Sequence, residues 1–178
     1  MYESIRQRAY AIIGASFIQD RKRANRGGSK KPVPRESVYD TELMRLLRNW
    51  LTPYTVSGLW HLVTKPDGRH KYSDIVIQGP LSEAPIVLEL LATGDKRFVK
   101  EHIERTPLYQ RLLTANEAWV IHFTCEGNYA PVWQSDQAID EGLNVVHISH
   151  DLGFTEMFMK ARWKDAVGIR HQDDLRIF

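Results

Sequence analysis

Two acidic residues lie inside otherwise apolar segments of this 178-residue chain. Asp74 stands in the run Tyr-Ser-Asp-Ile-Val-Ile, and Glu89 stands in the run Ile-Val-Leu-Glu-Leu-Leu-Ala. Ionised carboxylates are rarely buried unless they are paired or bound to a metal. Carboxylate oxygens are also ligands that Mg²⁺ accepts in proteins. The pair therefore predicts either one shared cation site or two strand-end carboxylates that face water or a Lys or Arg partner.

The segments around these acids predict three consecutive strands that form a meander. The strands are bounded by the turn Lys65-Pro66-Asp67-Gly68 and by a loop at Gly79-Pro80, and we place them at Tyr54 to Thr64, Lys71 to Gln78 and Pro85 to Ala92. A helix capped by Ser37 precedes them and ends before Pro53. This helix carries a further acid, Glu42.

The remaining elements predict the fold class. A helix from Asp95 to Arg105 restarts at Pro107 and continues to about Leu113, and strands follow at Ala118 to Thr124 and Leu143 to Ser149. This order indicates an α/β fold with a mixed β-sheet flanked by helices. Neither the dinucleotide-binding nor the P-loop glycine motif occurs, which disfavours Rossmann and P-loop folds.

A basic segment separates an N-terminal helix from the rest of the chain. Residues 2–19 have apolar side chains at helical spacing, and residues 20–36 form a linker with Gly and Pro. We predict an accessory region at 1–36 and one domain at 37–178. The net charge is +2, but seven basic residues and no acid lie between Arg21 and Arg35, so the remainder has 17 basic against 22 acidic residues. The segment is either a phosphate-binding or nuclear-import stretch or a tether.

The order of elements and the three acids resemble the PD-(D/E)XK, or restriction-endonuclease-like, nuclease superfamily over about residues 37–150. That resemblance implies a restriction-endonuclease-like sheet. It also implies that Glu42 is the helix acid, that Asp74 is the second acid, at the start of a strand, and that Glu89 begins an E-x-K tripeptide on the next strand. The lysine of that tripeptide should lie two residues after Glu89, on the same face of the strand. Leu91 occupies this position.

One branch of the superfamily matches more closely. Glu89-Leu-Leu, then Gly94-Asp95 and then Lys100-Glu101-His102 with Arg105 look like the nuclease-like domain of Crinkler-type effectors and their fungal relatives. The resemblance implies Mg²⁺ or Mn²⁺ held by Asp74, Glu89 and the backbone carbonyl of Leu90. Lys100 is then expected to replace the missing lysine as a catalytic residue, and the residues expected to contact nucleic acid are Lys96, His102 and Arg105.

Two functions are compatible with this sequence. The first is a divalent-metal-dependent nuclease that hydrolyses phosphodiester bonds in DNA or RNA. The alternative is a catalytically inactive nuclease-fold effector or binding module, in which Leu91 marks a lost active site and the partner is a nucleic acid or a protein. The pair His147 and His150 is a weaker metal-site candidate.

Cysteine content and hydropathy indicate the compartment. Cys125 is the only cysteine, which excludes an intramolecular disulfide and fits the cytoplasm or the nucleus. No apolar run approaches the roughly 18 residues of a membrane span, so we expect no membrane association. Whether the chain is part of a larger polypeptide is left open.

Overall fold

The computed structural model describes residues 36–64, 70–80, 83–92, 95–125, 129–153 and 155–177. Its helices and strands, in chain order, are α1 (Glu36–Trp50), β1 (Thr55–Thr64), β2 (His70–Gln78), β3 (Ile86–Ala92), α2 (Lys96–Leu112), β4 (Glu117–Thr124), α3 (Asp136–Asp140), β5 (Leu143–His150), β6 (Met157–Asp165) and β7 (Gly168–Arg176). The predicted N-terminal helix, the basic segment and the turn at residues 65–68 lie outside the described residues.

The seven strands form one mixed sheet and follow the order of the chain, from β1 at one edge to β7 at the other. β1, β2 and β3 pair antiparallel, β3, β4 and β5 pair parallel, and β5, β6 and β7 pair antiparallel. Parallel neighbours need crossover connections, which α2 and α3 provide. The predicted α/β class with a helix-flanked mixed sheet is confirmed, as is the adjacency of the strands that carry Asp74 and Glu89.

α1 covers one face of the sheet. Tyr39, Leu43 and Leu47 recur at intervals of four residues, so they share one side of the helix and are buried in a common cluster with side chains of β2 to β6. The Tyr39 ring stacks on Phe123 of β4 with 4.4 Å between centroids. The helix begins at Glu36, which makes Ser37 its second residue rather than the predicted cap.

α2 covers the opposite face. Its buried side chains, including Val99 and Ile103, join a second cluster with β3, β4 and β5. The Asp95 carboxylate accepts a hydrogen bond from the Phe98 backbone N–H at 2.8 Å and caps the helix. The expected interruption at Pro107 is wrong: α2 runs unbroken through it, because proline removes only one backbone donor while the buried face holds both halves on the sheet. No described helix is long and apolar enough to cross a membrane.

The C-terminal hairpin was not predicted. In β6, Met157, Met159 and Ala161 are buried and alternate with more exposed residues, so the strand has one core face. β7 is mostly exposed and polar, and it lies at the edge of the sheet. The Asp165 carboxylate accepts hydrogen bonds from the N–H groups of Val167 and Gly168 and shapes the turn between the two strands. Edge strands with charged side chains resist pairing with other chains.

Candidate active site

β2 and β3 separate at the position of the two acids. Their ladder pairs Ile77 with Ile86, then Val76 with Val87, and ends where Ile75 faces Leu88. One further step in this register would place Asp74 opposite Glu89. Residues directly opposite each other in an antiparallel pair project to the same face of the sheet. The two acids are therefore cross-strand neighbours at the point where regular pairing stops.

The carboxylates replace the hydrogen bonds that the ladder no longer makes. The Leu90 backbone N–H donates to Asp74 Oδ2 at 2.7 Å. The Asp74 backbone N–H donates to Glu89 Oε1 at 3.4 Å, a longer contact. Each acid thus receives a hydrogen bond from the main chain of the opposite strand, which holds both side chains between β2 and β3 and satisfies donors that would otherwise be unpaired.

α2 places an arginine beside this pair. Arg105 Nη2 lies 3.2 Å from Glu89 Oε2 and 2.9 Å from His102 Nδ1. Because a guanidinium only donates, His102 Nδ1 accepts this hydrogen bond, and the neutral ring carries its proton on Nε2. The guanidinium also lies 5.9 Å from the centre of the Tyr109 ring. Glu89 is fully buried, whereas the Arg105 side chain is 43% exposed, so the ion pair links the core to solvent.

α1 contributes different acids from the one predicted. Glu36 and Asp40 both act electrostatically on Asp74, and Glu36 accepts a hydrogen bond from the Ala92 backbone at the end of β3. Glu42 instead forms an ion pair with Arg45, whose Nε and Nη2 lie 2.9 and 2.7 Å from Glu42 Oε2. Glu36 and Asp40 are four residues apart and share one side of the helix. Two acids at this spacing, in the first turns of a helix that precedes two acid-bearing strands, were the sequence signal that could have identified Glu36 and Asp40 as the acids near Asp74.

Burial and mutual repulsion raise the pKa values of both acids in the pair. Burial, and then the nearby charges of Glu36 and Asp40, raise the pKa of Asp74 to about 6, against the lowering effects of the Leu90 N–H and Arg105. Burial, and then the charge of Asp74, raise the pKa of Glu89 to about 8, although Arg105 and the Asp74 N–H lower it. Acids with strongly raised pKa values in a shared site are typical of catalytic and metal-binding centres.

The two lysines predicted on α2 lie on its outer surface. Lys100 is exposed and its Nζ lies 3.6 Å from Glu104, and Lys96 is exposed in the first turn. Of the predicted cations and phosphate contacts, Arg105 reaches the Glu89 carboxylate, and His102 lies beside Arg105. Arg105 and Lys100 are five residues apart, so they point about 140° apart around the helix.

Leu91 is fully buried on the same face of β3 as Glu89. It belongs to the cluster under α2, with Val99 and Ile103. The strand alternates as expected, but position 91 faces the apolar underside of the helix rather than solvent. A cation at this position would have to displace that packing.

A second polar cluster lies further along the α2 face of the sheet. His122 Nδ1 and His147 Nδ1 are 3.1 Å apart, Tyr129 contacts His147 Nδ1, and His147 Nε2 donates to the Val132 carbonyl at 2.8 Å. Burial lowers the pKa of His122 to about 4 and that of His147 to about 3. His150 lies on the other face, where it bonds the Tyr39 hydroxyl at 2.8 Å, so His147 and His150 do not share a metal.

The donor set between β2 and β3 fits a hard divalent cation. Mg²⁺ in proteins is commonly held by one or two carboxylates together with waters and substrate phosphates. Asp74 and Glu89 supply two carboxylates. Leu90, whose backbone carbonyl the resemblance implies as a further ligand, follows Glu89 on β3. Within the described ranges, no three His, Cys, Asp or Glu side chains are grouped closely enough to form a complete protein cage for a metal.

Comparisons with protein-family models, with curated proteins and with solved structures give no match to this chain.

Proposed function

We propose that this protein is a divalent-metal-dependent nuclease that hydrolyses phosphodiester bonds in DNA or RNA. The observation that carries the proposal is the acid pair, Asp74 and Glu89, held by reciprocal main-chain hydrogen bonds where β2 and β3 separate. Burying two carboxylates side by side costs stability, as their raised pKa values indicate. A site that is costly to fold and rich in hard oxygen donors is suited to a cation.

Asp74 and Glu89 would hold Mg²⁺ or Mn²⁺, with the Leu90 carbonyl as the further ligand implied by the nuclease resemblance. The metal would polarise the phosphate and lower the pKa of a bound water. Glu36 reaches the same region from α1 and would orient water there, the role first expected for Glu42.

The reaction is a hydrolysis that needs no co-reactant besides water. A water oxygen bonds to phosphorus while the bond from phosphorus to one sugar oxygen breaks. The water gives up one proton to a base, and the leaving oxygen takes up one proton. Positive charge beside the phosphate would stabilise the negative charge that develops on its oxygens.

The test is cleavage by the purified protein of single- and double-stranded DNA and RNA, with Mg²⁺, with Mn²⁺ and with EDTA. We expect metal-dependent cleavage that Asp74→Asn or Glu89→Gln abolishes. Glu101→Gln is the matched control, since Glu101 is an exposed acid on α2 that pairs with Arg97. Metal-independent cleavage, or cleavage that survives both substitutions, would refute the proposal.

A second candidate is a non-catalytic nuclease-fold module that binds a nucleic acid or a protein. Two observations favour it: Leu91 is apolar and fully buried, and Arg105 already pairs with Glu89. In this case the ion pair would be a structural replacement for a lost metal site. The wild-type protein would then show no cleavage under any of the conditions above, and Asp74→Asn would leave partner binding unchanged.

A further inference from the structure

The site has a deficit of positive charge. The groups that act on one another here include four carboxyls, Glu36, Asp40, Asp74 and Glu89, and one guanidinium, Arg105. Such an excess of acid attracts cations strongly because the walls of the site are partly buried and water screens the charges poorly. Arg105 by itself neutralises only one of these carboxylates when all are ionised.

Arg105 is held in place by more than its ion pair. The same nitrogen, Nη2, contacts Glu89 Oε2 at 3.2 Å and His102 Nδ1 at 2.9 Å. Burial, together with the charge of Arg105, lowers the pKa of His102 to about 4, so its ring is neutral and can accept from the guanidinium at neutral pH. His102 is itself buried, with 3% exposure, and cannot move to solvent without opening the underside of α2.

Arg105 nevertheless has room to move outward. Its side chain is 43% exposed, and its guanidinium carbon lies 5.9 Å from the centre of the Tyr109 ring. Because water reaches one side of the guanidinium, its charge stays hydrated when it leaves the carboxylate. Glu89 is fully buried, so after release it would stay ionised only with another cation beside it.

We propose that Arg105 is the counter-ion of Glu89 in the metal-free protein. When the divalent metal binds Glu89, Arg105 moves away from this carboxylate and contacts the phosphate, in place of the lysine absent at Leu91. His102 is the positioning residue that keeps Arg105 beside the site through Nδ1. This inference depends on the proposed function, which it deepens by naming the cation that completes the site.

The experiment compares Arg105→Gln, Arg105→Lys and the control Arg97→Gln. Arg97 lies on the same helix, is largely exposed and pairs with Glu101 at 3.1 Å. Mn²⁺ affinity is measured by calorimetry, and cleavage is measured with the nucleic acid that the wild type cleaves best. Circular dichroism verifies that each variant is folded.

Arg105→Gln removes the competing charge, so we expect Mn²⁺ to bind roughly three- to tenfold more tightly. Cleavage should fall by about 100-fold or more, because the phosphate loses its protein cation. Arg105→Lys should keep a measurable part of the activity. A merely structural role would not raise metal affinity while lowering activity. Equal or weaker Mn²⁺ binding by Arg105→Gln, or cleavage within threefold of Arg97→Gln, would overturn the inference.

The role of His102 is tested by the NMR signals of the Arg105 guanidinium in the metal-free protein. His102→Asn keeps an acceptor oxygen near the position of Nδ1, whereas His102→Leu removes it. We expect a distinct, slowly exchanging Arg105 signal in the wild type and in His102→Asn, and its loss in His102→Leu. A signal unchanged in His102→Leu would exclude the positioning role.

The two proposals fail in different ways. A wild type that binds Mn²⁺ but cleaves none of the substrates refutes the nuclease and the phosphate contact, whereas the affinity change in Arg105→Gln still decides whether Arg105 is the counter-ion. A wild type that cleaves normally while Arg105→Gln cleaves equally well refutes only the inference about Arg105.

Discussion

Glu89→Gln should stabilise the metal-free protein at high pH and destabilise it at low pH. Burial first, and then Asp74, raise the pKa of Glu89 from 4.5 to about 8. The folded protein therefore binds more protons than the unfolded chain between these two values, and its stability falls as pH rises through that window. Glutamine resembles the protonated acid in shape and carries no charge, so the variant lacks this loss.

The magnitude follows from the width of the window. A difference of about 3.5 pH units, at about 1.4 kcal/mol each, corresponds to about 5 kcal/mol above pH 8. Asp74 titrates together with Glu89, so this loss of stability belongs to the pair and only part of it to Glu89. An amide N–H left unpaired in the core costs the variant about 1–3 kcal/mol. We therefore expect Glu89→Gln to be more stable than the wild type by roughly 1–3 kcal/mol at pH 9 and less stable by up to about 2 kcal/mol at pH 5.

The assay is urea denaturation followed by circular dichroism at pH 5, 7 and 9, in EDTA. Glu101→Gln is the control, because its side chain is exposed and its substitution should change stability by the same small amount at every pH. A difference between Glu89→Gln and the wild type that is the same at pH 5 and pH 9 would refute the argument that Glu89 is buried at a cost. Added Mg²⁺ should stabilise the wild type at pH 9 by about 1.4 kcal/mol at ten times its Kd, and should not stabilise the variant.

Four further results are expected. Leu91→Lys should destabilise the fold by about 3 kcal/mol or more in denaturation experiments, because the lysine would enter an apolar cluster, whereas Leu91→Met should cost less than about 1.5 kcal/mol; equal losses would contradict the burial. Lys100→Ala should change the free energy of unfolding by less than about 0.5 kcal/mol, and a 100-fold loss of cleavage would instead indicate that Lys100 is the catalytic lysine, as first expected. Glu36→Gln should reduce metal affinity more than Glu42→Gln, measured by calorimetry, and the reverse order would favour Glu42. Removal of residues 21–35 should flatten the dependence of nucleic-acid affinity on salt by about 0.9 in log–log slope per lost phosphate contact, and an unchanged slope would identify the segment as a tether.

The strands and the acid pair were predictable because hydrophobic patterning marks buried strands directly. Asp74 and Glu89 interrupt apolar runs, and a two-residue period fixes the face on which each must lie. The β6–β7 hairpin was missed for the opposite reason: β6 mixes Lys and Arg among its buried Met and Ala residues, and β7 is polar along most of its length. Sheet pairing, rather than an apolar pattern, holds β7 in place.

The choice among charged residues could not be made from spacing alone. Lys100 and Arg105 both lie on α2, and only the rotation of that helix about its axis decides which reaches Glu89. This rotation is set by the packing of Val99 and Ile103 against the sheet. Likewise, the docking of α1 turns Glu36 and Asp40 toward Asp74 and leaves Glu42 with Arg45. Tertiary packing, rather than spacing along the chain, therefore decides which charged side chains lie beside the acid pair.

The reciprocal bonds between β2 and β3 have a consequence for how this site tolerates change. Asp74 is anchored by the main-chain N–H of Leu90, a donor that every amino acid except proline supplies. Most substitutions at Leu90 would therefore spare the anchor, and would be limited only by how well the new side chain fills the core. Leu90→Pro alone would remove the donor. Divergence of this chain could thus erase the surrounding sequence signature while the carboxylates kept their positions.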